Sequence, residues 1–171
     1  MKAWHFLSAD GMTRYEPREL VTVGQTLKVT PPIELCHRGL HASVRALDAL
    51  QYAPGPICCR VELSGEIISD TDKVVATERT VLLMFDATDV LHEMACLSAT
   101  SALLIADVKD KRCWAAIEAK RAWVRGEISD QELNAARAAA RYAAWDAARD
   151  AAWDEQNTVL EQLLTEGGGQ P

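Results

Sequence analysis

The sequence contains no Cys-x-x-Cys pair, no Gly-x-x-x-x-Gly-Lys-[Ser/Thr] phosphate loop and no Gly-x-Ser-x-Gly nucleophile turn. The first absence goes with an odd number of cysteines, five, of which Cys58 and Cys59 are neighbours. Adjacent strand residues point to opposite faces and rarely bridge, so a reduced, cytoplasmic chain is expected rather than a disulfide frame. Metal-ligand spacing is also missing: Cys36 is adjacent to His37, and Cys36 with His41 has no second pair. The other two absences exclude a P-loop nucleotidase and an α/β-hydrolase elbow. The N-terminus shows neither the basic nor the apolar stretch of a secretory leader. The longest apolar run, around residues 95–108, is broken by Ser98, Thr100, Ser101 and Asp107, so no membrane span is expected. Positive charge is scarce too. Eighteen Lys and Arg face 25 Asp and Glu, a formal charge of -7, which argues against a binder that tracks nucleic-acid phosphates.

The deficit is uneven. Residues 1–85 hold nine basic and ten acidic side chains, net -1, and residues 86–171 hold nine and fifteen, net -6. Any anion site is therefore local to the first half.

That half reads as short strands. Residues 2–7 alternate, with Trp4 and Phe6 on one face and Ala3, His5 and Leu7 on the other. Asp10-Gly11 marks a turn, and Leu20–Val29 reads as a hairpin turning at Gly24-Gln25 and ended by Pro31-Pro32. Leu35–His41 is expected to be extended, with Gly39 allowing a tight backbone. Ser43 is placed to cap a short helix whose Val44, Leu47 and Leu50 share a face, stopped by Pro54-Gly55-Pro56. Ile57–Leu63 has the composition of a central strand, Gly65 of a bend, and Lys73–Phe85 of one or two further strands.

The second half reads as helices. Thr88 is expected to cap a helix to Val108 whose apolar positions are so continuous that more than one side should be buried. A helix over Arg112–Arg125 ends at Gly126, and Ser129-Asp-Gln-Glu132 forms a capping box. The helix it opens can run to about Thr165. It sets Arg137, Arg141, Trp145, Arg149 and Trp153 four residues apart beside Asp146, Asp150 and Asp154, and pairs such as Asp146–Arg149 are expected. Its stripe either packs on residues 89–125 or, with Trp145 and Trp153 as anchors, forms a surface for a second copy or a partner. The expected fold is α+β: a mixed, mainly antiparallel sheet with one short helix in residues 1–85, a helical region with one long alanine-rich helix in 86–166, and a disordered tail in 167–171.

Chemistry concentrates in residues 36–63. His41 and Ser43 lie two apart ahead of a helix start, where free amides favour a phosphate or carboxylate, and Ser43 as a plain cap is the simpler reading. No nucleophile–base–orienter set is legible, and Glu78 beside Arg79 reads alone as half of a surface alternation.

The segments Gly39-Leu-His-Ala-Ser43, Ala49-Leu-Gln-Tyr-Ala-Pro-Gly55, Cys59-Arg-Val-Glu-Leu-Ser-Gly-Glu-Ile67 and Asp72-Lys-Val-Val-Ala-Thr77 resemble an uncharacterised domain family common in bacteriophage and prophage proteins. The resemblance covers about residues 1–106 and implies a protein of the host bacterial cytoplasm with no established activity. The stretch from Ile117 onward resembles the alanine-rich helical tails of immunity-like and phage proteins.

A more distant resemblance is to the ADP-ribosyltransferase fold. It is carried by the order of His5, Arg38-Gly39-Leu40-His41-Ala42-Ser43, Ala49-Leu-Gln-Tyr52, strand 57–63 and Glu78. His37 stands where that motif has its first glycine, and His41 where it has tyrosine. The likeness implies NAD as cofactor, held by His5, Gly39, Ser43 and Tyr52, with His41 at the stacking position. Glu78 would stabilise the developing oxocarbenium charge.

Three classes of function fit. One is a phage or prophage accessory enzyme of this kind, modifying a host or defence target. The second is a non-enzymatic anti-defence protein that sequesters a nucleotide or occludes a partner through its acidic helical half. The third is a structural protein that oligomerises through residues 112–166.

Overall fold

The computed structural model describes residues 1–15 and 18–167, with side chains to residue 159. Two compact units, residues 1–91 and 92–171, make up the chain. The architecture is the expected α+β.

In the first unit a five-stranded antiparallel sheet is built from β1 (Lys2–Leu7), β2 (Thr26–Lys28), β3 (Leu40–Ala42), β4 (Ile57–Ser69) and β5 (Val74–Asp86). β4 and β5 form a long hairpin whose turn is closed by the Asp70 N–H on the Lys73 carbonyl, 2.8 Å. β4 is central, as its composition suggested, with β1 on its other side (His5 opposite Cys59). Gly65 makes the expected bulge. Its φ is +76°, a Cβ there would lie 2.0 Å from Thr77 Oγ1, and the β4–β5 register shifts between Ser64 and Ile67.

β3 pairs with β5 (His41 opposite Val75), and just beyond it Ser43 pairs with Trp4 of β1. The Trp4 N–H donates to the Ser43 carbonyl at 2.7 Å and the Ser43 N–H to the Trp4 carbonyl at 2.9 Å. The ladder β1–β4–β5–β3 thus returns to β1 and closes a ring. Leu7, Val21, Val61, Leu63 and Val81 fill it. Burial of such a side chain is worth about 1.5–3 kcal/mol. Phe6, Cys58 and Ala87, on the outer face, pack with Ala49 of the short helix α1 (Ala46–Gln51). β1 therefore alternates as its sequence predicts.

Several local expectations are corrected. Leu20–Val29 is not a hairpin. The Gly24-Gln25 turn forms, with the Gln25 N–H on the Thr22 carbonyl at 3.2 Å, but Leu20 bridges to Met12 and β2 pairs with β5. The exposed edge of β5 offers β2 a longer partner, and Val21 turns into the core. Residues 35–38 are a tight loop rather than extended: the Glu34 carbonyl accepts the N–H groups of His37 and Arg38, and Cys36 sits at φ 67°. α1 starts at Ala46, three residues after Ser43, with Arg45 as N-cap and no side-chain cap, so Ser43 caps nothing; it is buried in the ring seam. Val44 and Leu47 are exposed, and Ala49 makes the contact.

α2 (Thr88–Ile105), which starts in the first unit and continues into the second, is capped by Asp86, whose carboxylate accepts from Thr88 N–H and Oγ1, instead of by Thr88 itself. Cys96 is buried, but Val90, Leu97, Leu104 and Ile105 are exposed, so the continuous apolar run does not mean burial on several sides. α3 (Lys111–Val124) ends at Gly126, as expected. α4 (Asp130–Gly167) opens with the predicted capping box: Ser129 N–H donates to Glu132 Oε2 at 2.8 Å, and Glu132 N–H to Ser129 Oγ at 3.3 Å. α3 packs on α4 through buried Ile117, Leu133 and Ala143, with Arg112 on Asp146 at 2.9 Å. Arg121 ties α3 to Glu93 of α2. The Asp146–Arg149 pair is present at 3.6 Å. α4 runs to Gly167, and the rest of the expected tail, residues 168–171, lies outside the described residues.

Candidate functional site

The ring encloses one side of a cavity of about 670 Å³. β1 brings His5 to it, β3 brings His41, the seam brings Ser43, the end of α1 brings Tyr52, and the loop before β3 brings Gly39. Gly39 is there for steric reasons. Its φ is +131°, and a Cβ would sit 2.3 Å from Val75 Cγ2.

Both ring nitrogens of His41 are engaged by backbone. Nε2 faces the Cys36 N–H at 3.0 Å and Nδ1 faces the Gly39 carbonyl at 3.1 Å, so Nδ1 carries the proton. Burial holds its pKa below the usual histidine value, with nearby Arg79 and Lys73 adding to the effect. A ring so placed braces the 35–39 loop, and both of its nitrogens are already engaged. His5 is pushed well below the ordinary range by burial, then by the charge of Arg79, and it presents a neutral imidazole.

Glu78 is not brought to this cavity. On β5 it faces away from Arg79, as alternation requires. It accepts Lys28 Nζ at 2.8 Å and Ser64 Oγ at 3.0 Å, which hold its carboxyl below the usual range. Lys28 thus turns its ammonium outward as well.

The residue that sequence reasoning missed is Arg79 itself. It shares a face with Val81 and, across the ladder, with Leu63, and is 5% exposed at the cavity wall. Its Nη1 donates to the His41 carbonyl at 2.7 Å, while Nε is buried with no partner. An orphaned buried donor costs about 1–3 kcal/mol. Burial lowers the guanidinium pKa to about 10, so it stays charged at neutral pH. The available signal was the apolar residue two positions on, Val81, which marks the inward face of β5.

A second cluster sits at the rim. Lys73 Nζ donates to Cys36 Sγ at 3.2 Å and to Tyr52 Oη at 3.4 Å, and lies 5.0 Å from the centre of the Tyr52 ring. These contacts, Cys36 foremost, raise the lysine further and keep it protonated. Tyr52 donates to Asp72. Among the described residues no group of His, Cys, Asp and Glu could hold a metal ion, and no helix is long and apolar enough to cross a membrane.

No curated protein and no solved structure matches the chain. Residues 1–93, which include every cavity residue described above, match one family. The chain belongs to the family described as a domain of unknown function, DUF7666.

Proposed function

We propose that residues 1–93 form a binding module that takes a small molecule into the ring cavity and makes no bond of its own. The observation that carries this reading is the division of the expected site. His5, Gly39, His41, Ser43 and Tyr52 border one cavity, while Glu78 lies on the other face of β5 with Lys28. At about 670 Å³ the cavity is of the size that small ligands occupy. A transferase acting on NAD needs a carboxylate against the oxocarbenium charge; Glu78 lies off the cavity, and the charged group beside His5 and His41 is the Arg79 guanidinium. Sequestration of a ligand therefore fits better than ADP-ribosyl transfer. The phage or prophage setting, with a host or defence pathway as the beneficiary of that capture, is part of the same proposal.

Calorimetry with NAD on the wild type and on His5→Ala, His41→Ala and Glu78→Ala, with nicotinamide release followed in parallel, tests it. Weakened binding on the His5 change, none lost on the Glu78 change, and no nicotinamide released is the expected pattern. Release that disappears in Glu78→Ala would return the transferase reading.

Self-association through residues 112–166 is a second reading, favoured by Trp145 and Trp153, which are 78% and 71% exposed on α4. Light scattering on the full chain and on Trp145→Ala/Trp153→Ala tests it; a monomeric wild type at high concentration would end it.

A further inference from the structure

We infer that the ligand of the ring cavity carries an oxyanion, a phosphoryl or carboxyl group, and that Arg79 is the residue that receives it. The inference rests on the binding-module reading above and deepens it.

Three observations lead there. The first is the guanidinium's state. Nη1 is tied to the His41 carbonyl, which leaves the Nε–Nη2 edge of the planar group, and on that edge Nε is buried and unpaired. Nε and Nη2 are the parallel donors of that edge, the pair that takes two oxygens of one carboxylate or phosphate.

The second is the lack of a counter-charge. No carboxylate forms an ion pair with Arg79 among the described residues, although the chain as a whole is acidic. Its neighbours are the neutral His5 ring, the His41 backbone and the Cys59 thiol, which burial pushes up to about 11. A buried cation left without a partner is costly, and an entering anion relieves that cost where a neutral ligand would not.

The third is the rest of the wall. Arg14, Arg38 and Lys73 also line it, and Glu19 is the one carboxylate among the described lining residues. Arg38 bonds to the Thr30 hydroxyl rather than to an acid. Lys73 stands at the rim with Cys36 and Tyr52, its ammonium 4.0 Å from Asp72. The opening is thus cationic in a chain of formal charge -7, and a local field of this sign draws anions in. The volume exceeds that of a bare phosphate ion, so the oxyanion is one end of a larger molecule, with the tyrosine at the rim available to its body.

The test uses the full chain and four probes: inorganic phosphate, AMP, citrate and adenosine. Affinities are read by calorimetry, and the Arg79 Nε–H signal is followed by ¹⁵N NMR. AMP or citrate should bind, and each should shift the Arg79 Nε–H resonance, as should phosphate at higher concentration. Adenosine should bind about tenfold or more weakly than AMP. Arg79→Met, shown folded by its circular dichroism, should lose about tenfold or more of the AMP or citrate affinity, and Arg79→Lys should recover part of it. If Arg79→Met does not fold, the wild-type resonance alone decides.

AMP and citrate arms separate a phosphoryl from a carboxyl preference. Equal binding of adenosine and AMP, or oxyanion binding that leaves the Arg79 resonance unmoved, overturns the inference while the binding module survives. No binding by any of the four probes overturns both.

Discussion

The Nε2 atom of His41 accepts the backbone N–H of Cys36 at 3.0 Å, and through that bond a side chain on β3 holds the left-handed turn of the preceding loop. His41→Ala removes the acceptor of that amide. The change should destabilise the first unit by about 1–3 kcal/mol. Hydrogen exchange at the Cys36 amide should accelerate while the β4–β5 amides stay protected, and uniform acceleration across the sheet would count against a local brace.

Two partly buried histidines give a pH dependence. His5 and His41 both have folded pKa values below the unfolded value, chiefly through burial. Between the folded and unfolded values the unfolded chain binds more protons, so stability is full above about pH 6.5 and falls as the pH drops below it. The slope for His5 is at most about 1.4 kcal/mol per pH unit, and His41 contributes less because solvent reaches it. Urea titrations between about pH 8 and pH 5 check this, and His5→Gln should flatten the curve. A midpoint that rises on acidification would contradict it.

Gly39 lies in the motif that suggested cofactor binding, but its contact with Val75 assigns it to the fold. Gly39→Ala should cost about 2 kcal/mol or more, from the clash and the positive φ together. It should do so equally with and without ligand. An effect confined to ligand affinity would restore a cofactor role.

Glu78→Gln should leave the melting temperature within a few degrees and ligand affinity unchanged, because the Lys28–Glu78 pair is solvent-exposed and off the cavity. A large loss of affinity would mean that the carboxylate reaches the ligand after all.

Much of the fold was legible because it depends on period. The alternation of Ala3, His5 and Leu7 against Trp4 and Phe6, the apolar run of β4, the kink at Gly65 and the box at Ser129 are all local signals, and each appears in place. What failed depended on competition between distant segments. Thr26–Lys28 had two possible partners, and the choice of β5 over Leu20–Val23 is invisible in either stretch alone. Ser43 carried a cap signature but was taken by Trp4, thirty-nine residues upstream in the chain. The site divided along the same line. Its Gly39 and His41 belong to a compact motif, whereas Arg79 acquires its role only when β5 pairs with β3 and brings it to the His41 carbonyl. Glu78 looked the better candidate because a carboxylate has a familiar chemistry, and a one-residue shift along a strand reverses which neighbour faces inward.

The seam between Ser43 and Trp4 bears on how the molecule is made. β1 gains its two neighbours only from Ser43 and from residues 57–62, so it leaves the ribosome some fifty residues before its main partner exists. At ordinary elongation rates that is a wait of about 3–10 s with both edges bare. During that interval the strand is open to a chaperone or to another nascent copy, and the ring can be sealed only once β5, which joins β4 to β3, has emerged.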